Sequence, residues 1–343
     1  MDILSEVKAR EIDYNKIKEA CYFNLNDKRN TDVSVIIPVY GRTQFNHITC
    51  DYFLKAIEYL QDEKKISITI VEHGDSPEHR DICYSWVNYI WIPKNGQRFN
   101  KCLAHNIGAL FSNKAENYLF HDIDTIVPQD FFERLFINME NYDAVQSFTK
   151  RRLLYCDEKL TQSIMEAKSD IRNVFAGSNS VTVGGSGAAG GSMFVHKDIF
   201  NYIGGFDDLF FTEYSVEDQF FFDKLQAFGK LGFCDNPPID LAHLFHKPSF
   251  NRTTKLEDFD ALHSFNGMSH EDKIKYCEIK RSYFEKINSM ENTDASPVQI
   301  KKRSTTKKKI RIVDNQFSHA PNSFGCGDLV GITPQNFEWV RCN

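Results

Sequence analysis

The chain has 343 residues, of which 41% are hydrophobic and 13% aromatic, and its formal net charge is −6 at pH 7. This length allows one large domain or two of ordinary size, and the composition excludes a largely disordered chain. The negative charge balance gives no indication of nucleic-acid binding, so no nucleic-acid partner is expected.

The nine cysteines occur singly, without any C-x-x-C pair, which argues against a zinc knuckle or a disulfide framework. Reduced thiols in a cytoplasmic compartment are the simpler interpretation. The first twenty residues lack the apolar core of a signal peptide, and no segment holds about 18 uninterrupted apolar residues. The sequence therefore predicts a cytoplasmic protein without a membrane span.

Apolar β-branched runs alternate with segments of helical spacing from residue 31 onwards. This alternation predicts an α/β fold in which helices flank a mixed, mostly parallel sheet. Ligands of such sheets bind beyond the carboxyl ends of the strands. The predicted strands are "DVSVIIPVYGR" (32–42), "ISITIVEHGDS" (66–76), "VNYIWIP" (87–93) and "NYLFHDIDTIV" (117–127), and helices are predicted over 46–63 and 99–115.

Changes in composition divide the chain into three predicted parts. Residues 1–30 form a polar, helical lead-in, residues 31–288 form the main domain, and residues 289–343 form a basic linker and tail. Seven basic residues lie between 301 and 311. This basic segment is interpreted as a linker, with peripheral contact to an anionic membrane surface as the alternative.

The first candidate site is the pair Asp122 and Asp124, at the end of a predicted buried strand. Residues i and i+2 of a strand point the same way, so both carboxylates could face one polar site. Two such charges are unfavourable together unless a cation or hydrogen-bond donors offset them, and a divalent metal accepts oxygen ligands. The alternative is a loop-initiating aspartate that caps the following segment.

The second candidate is the pair Glu217 and Asp218, before an apolar helical run. Ser215 followed three residues later by Asp218 is a capping-box pattern, and acidic residues suit the first turn of a helix. In that interpretation the two carboxylates only start the helix. In the other, one of them is a general base that points into a cleft.

The third candidate is the H-x-x-H pair His243 and His246. The two imidazoles could bind one ion if the backbone turns between them, or they could be unrelated polar residues. With Asp124 they would form a mixed nitrogen and oxygen site, which suits Mn²⁺ better than Mg²⁺. A two-histidine, one-carboxylate iron oxygenase is a further alternative, but the predicted α/β fold argues against it.

Two other segments are weaker candidates. Lys101 lies near a predicted helix start, where a cation and backbone N–H groups could bind a diphosphate, although a solvated surface lysine is the alternative. The Gly-rich segment 184–191 lacks the G-x-x-x-x-G-K-[ST] pattern of a phosphate loop and indicates only flexibility near a substrate.

The order of these motifs resembles the metal-dependent glycosyltransferases of the GT-A fold. The nearest type is that of the inverting β-1,4-galactosyltransferases and chondroitin polymerases. The matching stretches cover roughly residues 32–250, and the long Gly-Gly-Phe to Glu-Asp segment is the most specific of them. They are "VIIPVYGR", "IVEHGDS", "FNKCLAHNIG", "FHDIDTIVP", "GGSMFVHKDIFNYIGGFDDLFFTEYSVEDQFFFDKL" and "HLFH".

The resemblance implies a GT-A domain over 31–288, with a nucleotide half to about residue 128, an acceptor half to about 250 and a helical end. It implies a Mn²⁺ site, with Mg²⁺ as the substitute, in which Asp124 and His246 are ligands and His243 replaces a methionine ligand. Asp218 matches the catalytic base, and Glu217 beside it would hold a sugar. The implied donor-binding residues are Pro38, Val39, Arg42, Glu72, Phe99, Lys101, Asp122, Gly191 and Tyr214.

The chain departs from the family pattern at two places in this set. Lys101 stands where the family has an arginine, which turns a bidentate contact into a point charge. Tyr214, Ser215 and Val216 replace the Trp-Gly-Gly that precedes Glu-Asp, which bears on sugar specificity but not on the base.

The implied function is the inverting transfer of a hexose or N-acetylhexosamine from a UDP-sugar to a saccharide or glycoconjugate acceptor, in glycan or polysaccharide synthesis. One alternative is a catalytically degenerate protein that binds UDP-sugar or glycan. Another is a nucleotidyltransferase, which would need a basic Gly-rich loop that "PVYGRTQ" does not supply.

Overall fold

Four parallel strands form the centre of the main sheet in the computed structural model of the chain. They are β2 (Thr31–Val39), β3 (Ile66–Gly74), β4 (Asn88–Pro93) and β5 (Ala115–His121), in the sheet order β4-β3-β2-β5. The structure describes residues 2–25, 30–61, 64–112, 114–149, 153–167, 181–183, 189–212, 215–247 and 256–291. The ends of these four strands at one edge of the sheet bring together motifs that are far apart in the sequence.

Shorter strands extend this sheet at both sides. β1 (Tyr22–Asn24) pairs antiparallel with β4, whereas β10 (Ser192–His196) lies antiparallel between β5 and β7 (Ala144–Gln146). β11 (Leu231–Phe233) then pairs parallel with β7. Among the described strands of this sheet, four pairings are parallel and three are antiparallel. The predicted mixed, mostly parallel sheet is confirmed.

Both faces of the main sheet are buried, because successive residues of a strand point to opposite faces. On β2, Ile36 belongs to one hydrophobic cluster, whereas Val35 and Ile37 belong to the other. The helices that flank the sheet cover both clusters. They are α3 (Asn46–Tyr59), α4 (Lys101–Phe111), α5 (Phe131–Met139), α6 (Glu158–Ala167), α7 (Lys197–Tyr202), α8 (Glu217–Phe228), α9 (Leu256–Gly267) and α10 (His270–Glu291), with a 3-10 helix over Thr43–Phe45.

The N-terminal segment contains two helices, α1 (Ile3–Ala9) and α2 (Tyr14–Ala20), followed by β1. The side chains of Asp2 and Asp13 accept hydrogen bonds from backbone N–H groups of the first turns, as N-cap residues do. Both helices pack against α10, and Tyr283 of α10 donates a hydrogen bond to the carbonyl of Val7. The lead-in therefore contacts the last described helix.

A second, smaller sheet lies in the order β6-β12-β8-β9. Its strands are β6 (Thr125–Ile126), β8 (Leu154–Cys156), β9 (Val181–Val183) and β12 (Ala242–His243). β6 and β12 are antiparallel, with His243 opposite Thr125. This short pairing places the H-x-x-H stretch beside the turn that follows β5.

Two buried acidic residues connect the helices on one face of the main sheet. Asp207 accepts a hydrogen bond at 2.6 Å from Lys224 of α8, and Asp208 accepts one at 2.7 Å from Lys280 of α10. Tyr14 of α2 also donates to Asp208. Because all these groups are buried, each charge depends on its partner.

The remaining sequence predictions concern cysteines, membrane segments and the C-terminal part. The seven cysteines in the described residues are free. No helix of the described part has the length and apolar character needed to cross a membrane. α10 extends three residues beyond the boundary predicted at 288, and the basic segment 301–311 with the rest of the tail lies outside the described residues.

Candidate active site

Asp124, His243 and His246 form a cluster of three side chains suited to holding a metal ion. One candidate ligand atom from each lies within 4.8 Å of the other two. The Nε2 atom of His246 is 3.0 Å from Oδ2 of Asp124, and the Nε2 atom of His243 is 3.7 Å from Oδ1. Asp124 is buried, whereas both histidines are partly accessible. The predicted ligand set is therefore brought together in space.

The pairing of β6 with β12 explains how this cluster forms. Asp124 lies in the turn just before β6, and His243 is the last residue of β12. After His243, the backbone N–H of Leu244 donates to the carbonyl of Asp124 at 2.7 Å. The chain then turns and brings His246 to the same carboxylate. Such a turn is what the two histidines of an H-x-x-H pair need in order to bind one ion.

The donor atoms of the cluster fit a divalent cation of intermediate hardness. Oδ1 of Asp124 is buried without a hydrogen-bond partner among the described residues, which is unusual for a polar atom in a protein interior. Burial raises the pKa of Asp124, but the contacts with His246, His243 and Arg42 outweigh it and hold that pKa well below its usual range. Burial also lowers the pKa of His243, which favours the neutral imidazole that binds metals. A mixed set of two imidazoles and a carboxylate suits Mn²⁺ better than Mg²⁺.

Arg42 is the direct cationic neighbour of this cluster. Its guanidinium forms an ion pair with Oδ2 of Asp124, the same oxygen that lies near His246. Arg42 has a positive φ of 57°, and Gly41 before it has a φ of 59°. His79 supports this loop, since its Nε2 is hydrogen-bonded at 2.7 Å to the carbonyl of Gly41.

Asp122 and Asp124 do not face one site, which corrects the expectation from strand geometry. β5 ends at His121, and a turn follows in which the N–H of Thr125 donates to the carbonyl of Asp122. The strand alternation is lost in this turn, so the two carboxylates diverge. Asp124 faces the histidines, whereas Asp122 lies 2.9 Å from the ammonium of Lys101.

Lys101 connects Asp122 to Asp218. It is the first residue of α4, where the side chain of Asn100 caps the helix, and its own side chain is buried. Its Nζ atom lies 3.0 and 3.2 Å from the two carboxylate oxygens of Asp218. Burial lowers the pKa of this ammonium, but the charges of Asp122 and Asp218 outweigh burial and hold the pKa well above its usual value.

Asp218 does not take part in a capping box, which corrects the structural interpretation of this pair. α8 begins at Glu217 after Val216, and no side chain caps it. Instead, Oε2 of Glu217 accepts a hydrogen bond from the backbone N–H of Ser215 at 2.7 Å. The side chain of Asp218 faces Lys101 instead.

Burial alters the protonation of both carboxyl groups. It raises the pKa of Asp218, an effect that the ammonium of Lys101 opposes and the charge of Asp122 reinforces. It also raises the pKa of Glu217 to about 7, to which the charge of Asp218 contributes. Oε1 of Glu217 is buried without a hydrogen-bond partner in the described part of the chain. The pair therefore combines an acid that titrates near neutrality with a carboxylate held by a lysine.

Two glycines form the wall opposite Asp218. A Cβ atom on Gly190 would overlap Oδ2 of Asp218, so only glycine permits this approach. Gly191 has a φ of 99°, which favours glycine, and its carbonyl accepts a hydrogen bond from the N–H of Asp122 at 2.9 Å. Asp122, Asp218 and both glycines line one small cleft with Lys101.

A second cavity, of about 240 Å³, opens at the ends of β2 and β3. Pro38 and Val39 are buried in the last positions of β2, and the cavity is lined by the three residues that follow them and by residues at the end of β3 and just after it. Glu72 lies opposite Val39 and accepts hydrogen bonds from the N–H groups of Glu78 and His79. The cavity is lined by Tyr40, Gly41, Arg42, Glu72, Gly74, Asp75, Ser76 and Glu78.

Phe99 lies next to this cavity together with residues that the sequence analysis missed. The rings of Tyr40 and Phe99 are stacked, with centroids 5.8 Å apart. Lys94 donates to the hydroxyl of Tyr40 at 3.2 Å and forms an ion pair at 2.8 Å with Asp75. Tyr40 and Asp75 lie within quoted motifs, so their position after strand ends is a signal that could have identified them. Tyr214 lies outside the described residues.

No protein-family model and no curated protein sequence matches this chain. Its structure is similar to solved glycosyltransferase structures at low identity. The catalytic domain of Drosophila β1,4-galactosyltransferase 7 in complex with xylobiose is 12% identical over 68% of this chain and 79% of that one, with a TM-score of 0.44. The mannosyltransferase PcManGT from Pyrobaculum calidifontis, in complex with GDP-Man and Mn²⁺, is 14% identical over 82% of each chain, with a TM-score of 0.41.

GalNAc-T7 in complex with UDP, GalNAc and Mn²⁺ is 11% identical over 75% of this chain and 55% of that one, with a TM-score of 0.45. All three similar structures are glycosyltransferases, and two of them contain Mn²⁺. At 11–14% identity the similarity is one of fold.

Proposed function

We propose that this protein is a metal-dependent glycosyltransferase that moves a hexose or N-acetylhexosamine from a UDP-sugar to a saccharide acceptor with inversion at the anomeric carbon. The observation that carries the proposal is the position of two chemical centres at one edge of the sheet. One is the Asp124, His243 and His246 cluster, and the other is Asp218 with Glu217. Lys101 and Asp122 connect the two centres.

The first centre supports a role in holding the donor. Asp124 and the two imidazoles offer one oxygen and two nitrogen ligands, so the proposed ion is Mn²⁺, with Mg²⁺ as the substitute. A divalent cation bound there would neutralise negative charge on the departing diphosphate. The adjacent cavity, lined by Tyr40, Arg42 and Glu72, is the proposed site of the nucleoside.

The second centre supports a role in proton transfer. The hydroxyl oxygen of the acceptor would form a bond to the anomeric carbon while the bond between that carbon and UDP breaks. Asp218 would receive the hydroxyl proton, and the electron pair of the broken bond would leave with UDP. General bases of this kind contribute about 10²- to 10⁴-fold to a rate. Glu217, whose Oε1 lacks a partner among the described residues, would accept a hydrogen bond from a sugar hydroxyl.

The direct test is UDP release from a panel of UDP-sugars, with Mn²⁺, Mg²⁺ or EDTA, in the presence of saccharide acceptors. We expect turnover that depends on the metal and falls at least about 100-fold in Asp218→Asn. The anomeric configuration of the product tests inversion. Turnover in EDTA, or full activity in Asp218→Asn, would contradict this mechanism.

A protein that binds the nucleotide sugar without turnover is the second candidate. One observation favours this second candidate. Both carboxylate oxygens of Asp218, the proposed base, are already hydrogen-bonded to Lys101. Calorimetric binding of UDP with Mn²⁺, without UDP release on any acceptor, would support this candidate. A nucleotidyltransferase needs a basic Gly-rich loop after β2. It is disfavoured because the chain after β2 leads directly into the 3-10 helix Thr43–Phe45.

A further inference from the structure

The ammonium group of Lys101 is surrounded by carboxylate oxygens. Its Nζ atom lies 2.9 Å from Oδ1 of Asp122 and 3.2 and 3.0 Å from Oδ1 and Oδ2 of Asp218. An ammonium has three N–H donors, and these three oxygens match them in number. The side chain is also buried, at 8% exposure. In this arrangement no donor of Lys101 is left for a phosphate oxygen.

We propose that Lys101 is a positioning residue that holds the carboxylates of Asp122 and Asp218 together, and that it does not bind the diphosphate. This inference rests on the proposed function, in which Asp218 is the base. It differs from the donor-contact role that the sequence resemblance implies for Lys101.

The charges around Asp218 explain why a cation is needed at this position. Lys101 and His105 face it from α4, Asp122 faces it from the turn after β5, and Glu217 precedes it on α8. Burial and the charge of Lys101 hold the pKa of His105 well below its usual value, so this imidazole stays neutral. Lys101 therefore supplies the positive charge that balances the carboxylates in this group.

The position of Lys101 also connects the two halves of the proposed site. Asp122 follows β5 and precedes the metal-site turn, whereas Asp218 lies at the start of α8. One ammonium that contacts both carboxylates fixes the distance between these elements. Loss of the ammonium would leave Asp218 facing Asp122 in a half-buried place, and both effects favour the protonated carboxyl. A smaller fraction of Asp218 would then be ionised and able to accept a proton.

Asp218 titration can be measured without any enzymatic activity. We suggest ¹³C NMR of side-chain carboxyls in aspartate-labelled full-length protein, with the Asp218 signal assigned by Asp218→Asn. The variants are Lys101→Met, which removes the charge, and Lys101→Arg, which keeps it. Lys275→Met is the matched control, because Lys275 is an exposed lysine that is paired with Asp272 at 3.0 Å. Lys101→Gln replaces the methionine variant if the latter does not fold.

We expect the pKa of Asp218 to rise by about one unit or more in Lys101→Met. It should rise less in Lys101→Arg and not at all in Lys275→Met. In Lys101→Met, the Kd for UDP in the presence of Mn²⁺, measured by calorimetry, should change by less than about threefold. This factor corresponds to about 0.7 kcal/mol.

An unchanged pKa of Asp218 in Lys101→Met would overturn the inference. A loss of UDP binding of tenfold or more would overturn it as well, because that is the result expected of a phosphate ligand. If the wild-type protein does not bind UDP with Mn²⁺, the proposed function fails. The carboxyl titration still decides whether Lys101 holds Asp218 ionised, so the two failures are distinguishable.

Discussion

Gly190 lies directly against the carboxylate of Asp218, so close that a Cβ atom at position 190 would overlap Oδ2. This contact fixes where the proposed base can sit. We expect Gly190→Ala to displace Asp218 and to lower kcat at least about 100-fold, since a displacement of about 1 Å can cost that much. Binding of UDP with Mn²⁺ should be unchanged.

The matched control for this variant is Gly267→Ala, at the end of α9. No atom lies within 4 Å of the Cβ position at Gly267, so the added methyl group has space. Steady-state kinetics and calorimetry on both variants test the prediction. Wild-type kcat in Gly190→Ala would mean that Asp218 is not held at this position or is not the base.

Arg42 and a divalent cation would share one carboxylate, that of Asp124, whose Oδ2 pairs with Arg42 and whose Oδ1 has no hydrogen-bond partner among the described residues. A guanidinium next to a bound cation is repelled by it, and two unit charges 4 Å apart in water interact by about 1 kcal/mol. Because Mn²⁺ carries two charges, this is a lower bound, and we expect Arg42→Gln to bind Mn²⁺ alone at least about fivefold more tightly. The same variant should bind UDP more weakly, because Arg42 lines the cavity proposed for the nucleoside.

Electron paramagnetic resonance of free Mn²⁺ and calorimetry with UDP measure these two effects separately. His263→Ala, which changes an exposed side chain of α9, is a control for nonspecific Mn²⁺ binding. Equal or weaker binding of Mn²⁺ alone by Arg42→Gln would show that Arg42 does not oppose the cation.

Glu217 predicts a dependence of stability on pH. Burial, with the charge of Asp218, raises its pKa from 4.5 to about 7 in the folded protein. The folded state therefore holds this proton more tightly than the unfolded state, and the stability that the protonated group contributes is complete below pH 4.5. That contribution is lost as the pH rises through about 7, and it amounts to at most about 3 kcal/mol.

Glu217→Gln removes this titrating group while keeping its size. We expect the free energy of unfolding of the variant, relative to that of the wild type, to increase as the pH rises from 4.5 to 8. Urea unfolding at four pH values in this interval measures the difference. A constant difference between the two proteins would mean that Glu217 titrates alike in the folded and unfolded states.

The buried pair Lys280 and Asp208 predicts a large stability effect far from the proposed chemistry. Their side chains are fully buried at 2.7 Å, so removal of one partner leaves an uncompensated charge in the interior. Lys280→Met should lower the free energy of unfolding by about 3–5 kcal/mol. Lys280→Met with Asp208→Asn should recover part of this loss.

The exposed pair Lys275 and Asp272 is the control for this experiment, since its distance of 3.0 Å is similar and both side chains are accessible. Lys275→Met should have no measurable effect on unfolding in urea. An equally small effect of Lys280→Met would contradict the assignment of Asp208 as an ionised, lysine-dependent group.

The central strands and the placement of motifs at their ends could be predicted from the sequence. Apolar β-branched runs such as that of β2 are long enough to define a strand, and the carboxyl ends of parallel strands meet at one edge. Asp124 and Arg42 were placed near this edge for that reason. The local signals for these elements agree with the fold.

The fine geometry of the site could not be predicted from local patterns. His243 reaches Asp124 through strands of two residues each, β6 and β12, which are too short to have a periodicity. Asp122 diverges from Asp124 because β5 ends at His121 and a turn follows, whereas the strand pattern continues to residue 127. The Ser215 pattern was misleading, because the side chain of Glu217 satisfies the N–H of Ser215 instead.

The proposed mechanism requires Asp124, His243 and His246 to bind one cation. Anomalous diffraction at the manganese absorption edge, from a crystal of the protein soaked with UDP and Mn²⁺, measures whether they do. We expect one anomalous peak within about 2.3 Å of a carboxylate oxygen of Asp124 and of an imidazole nitrogen of each histidine, with UDP in the neighbouring cavity. A peak at other residues, or UDP bound without any peak at this cluster, would contradict it.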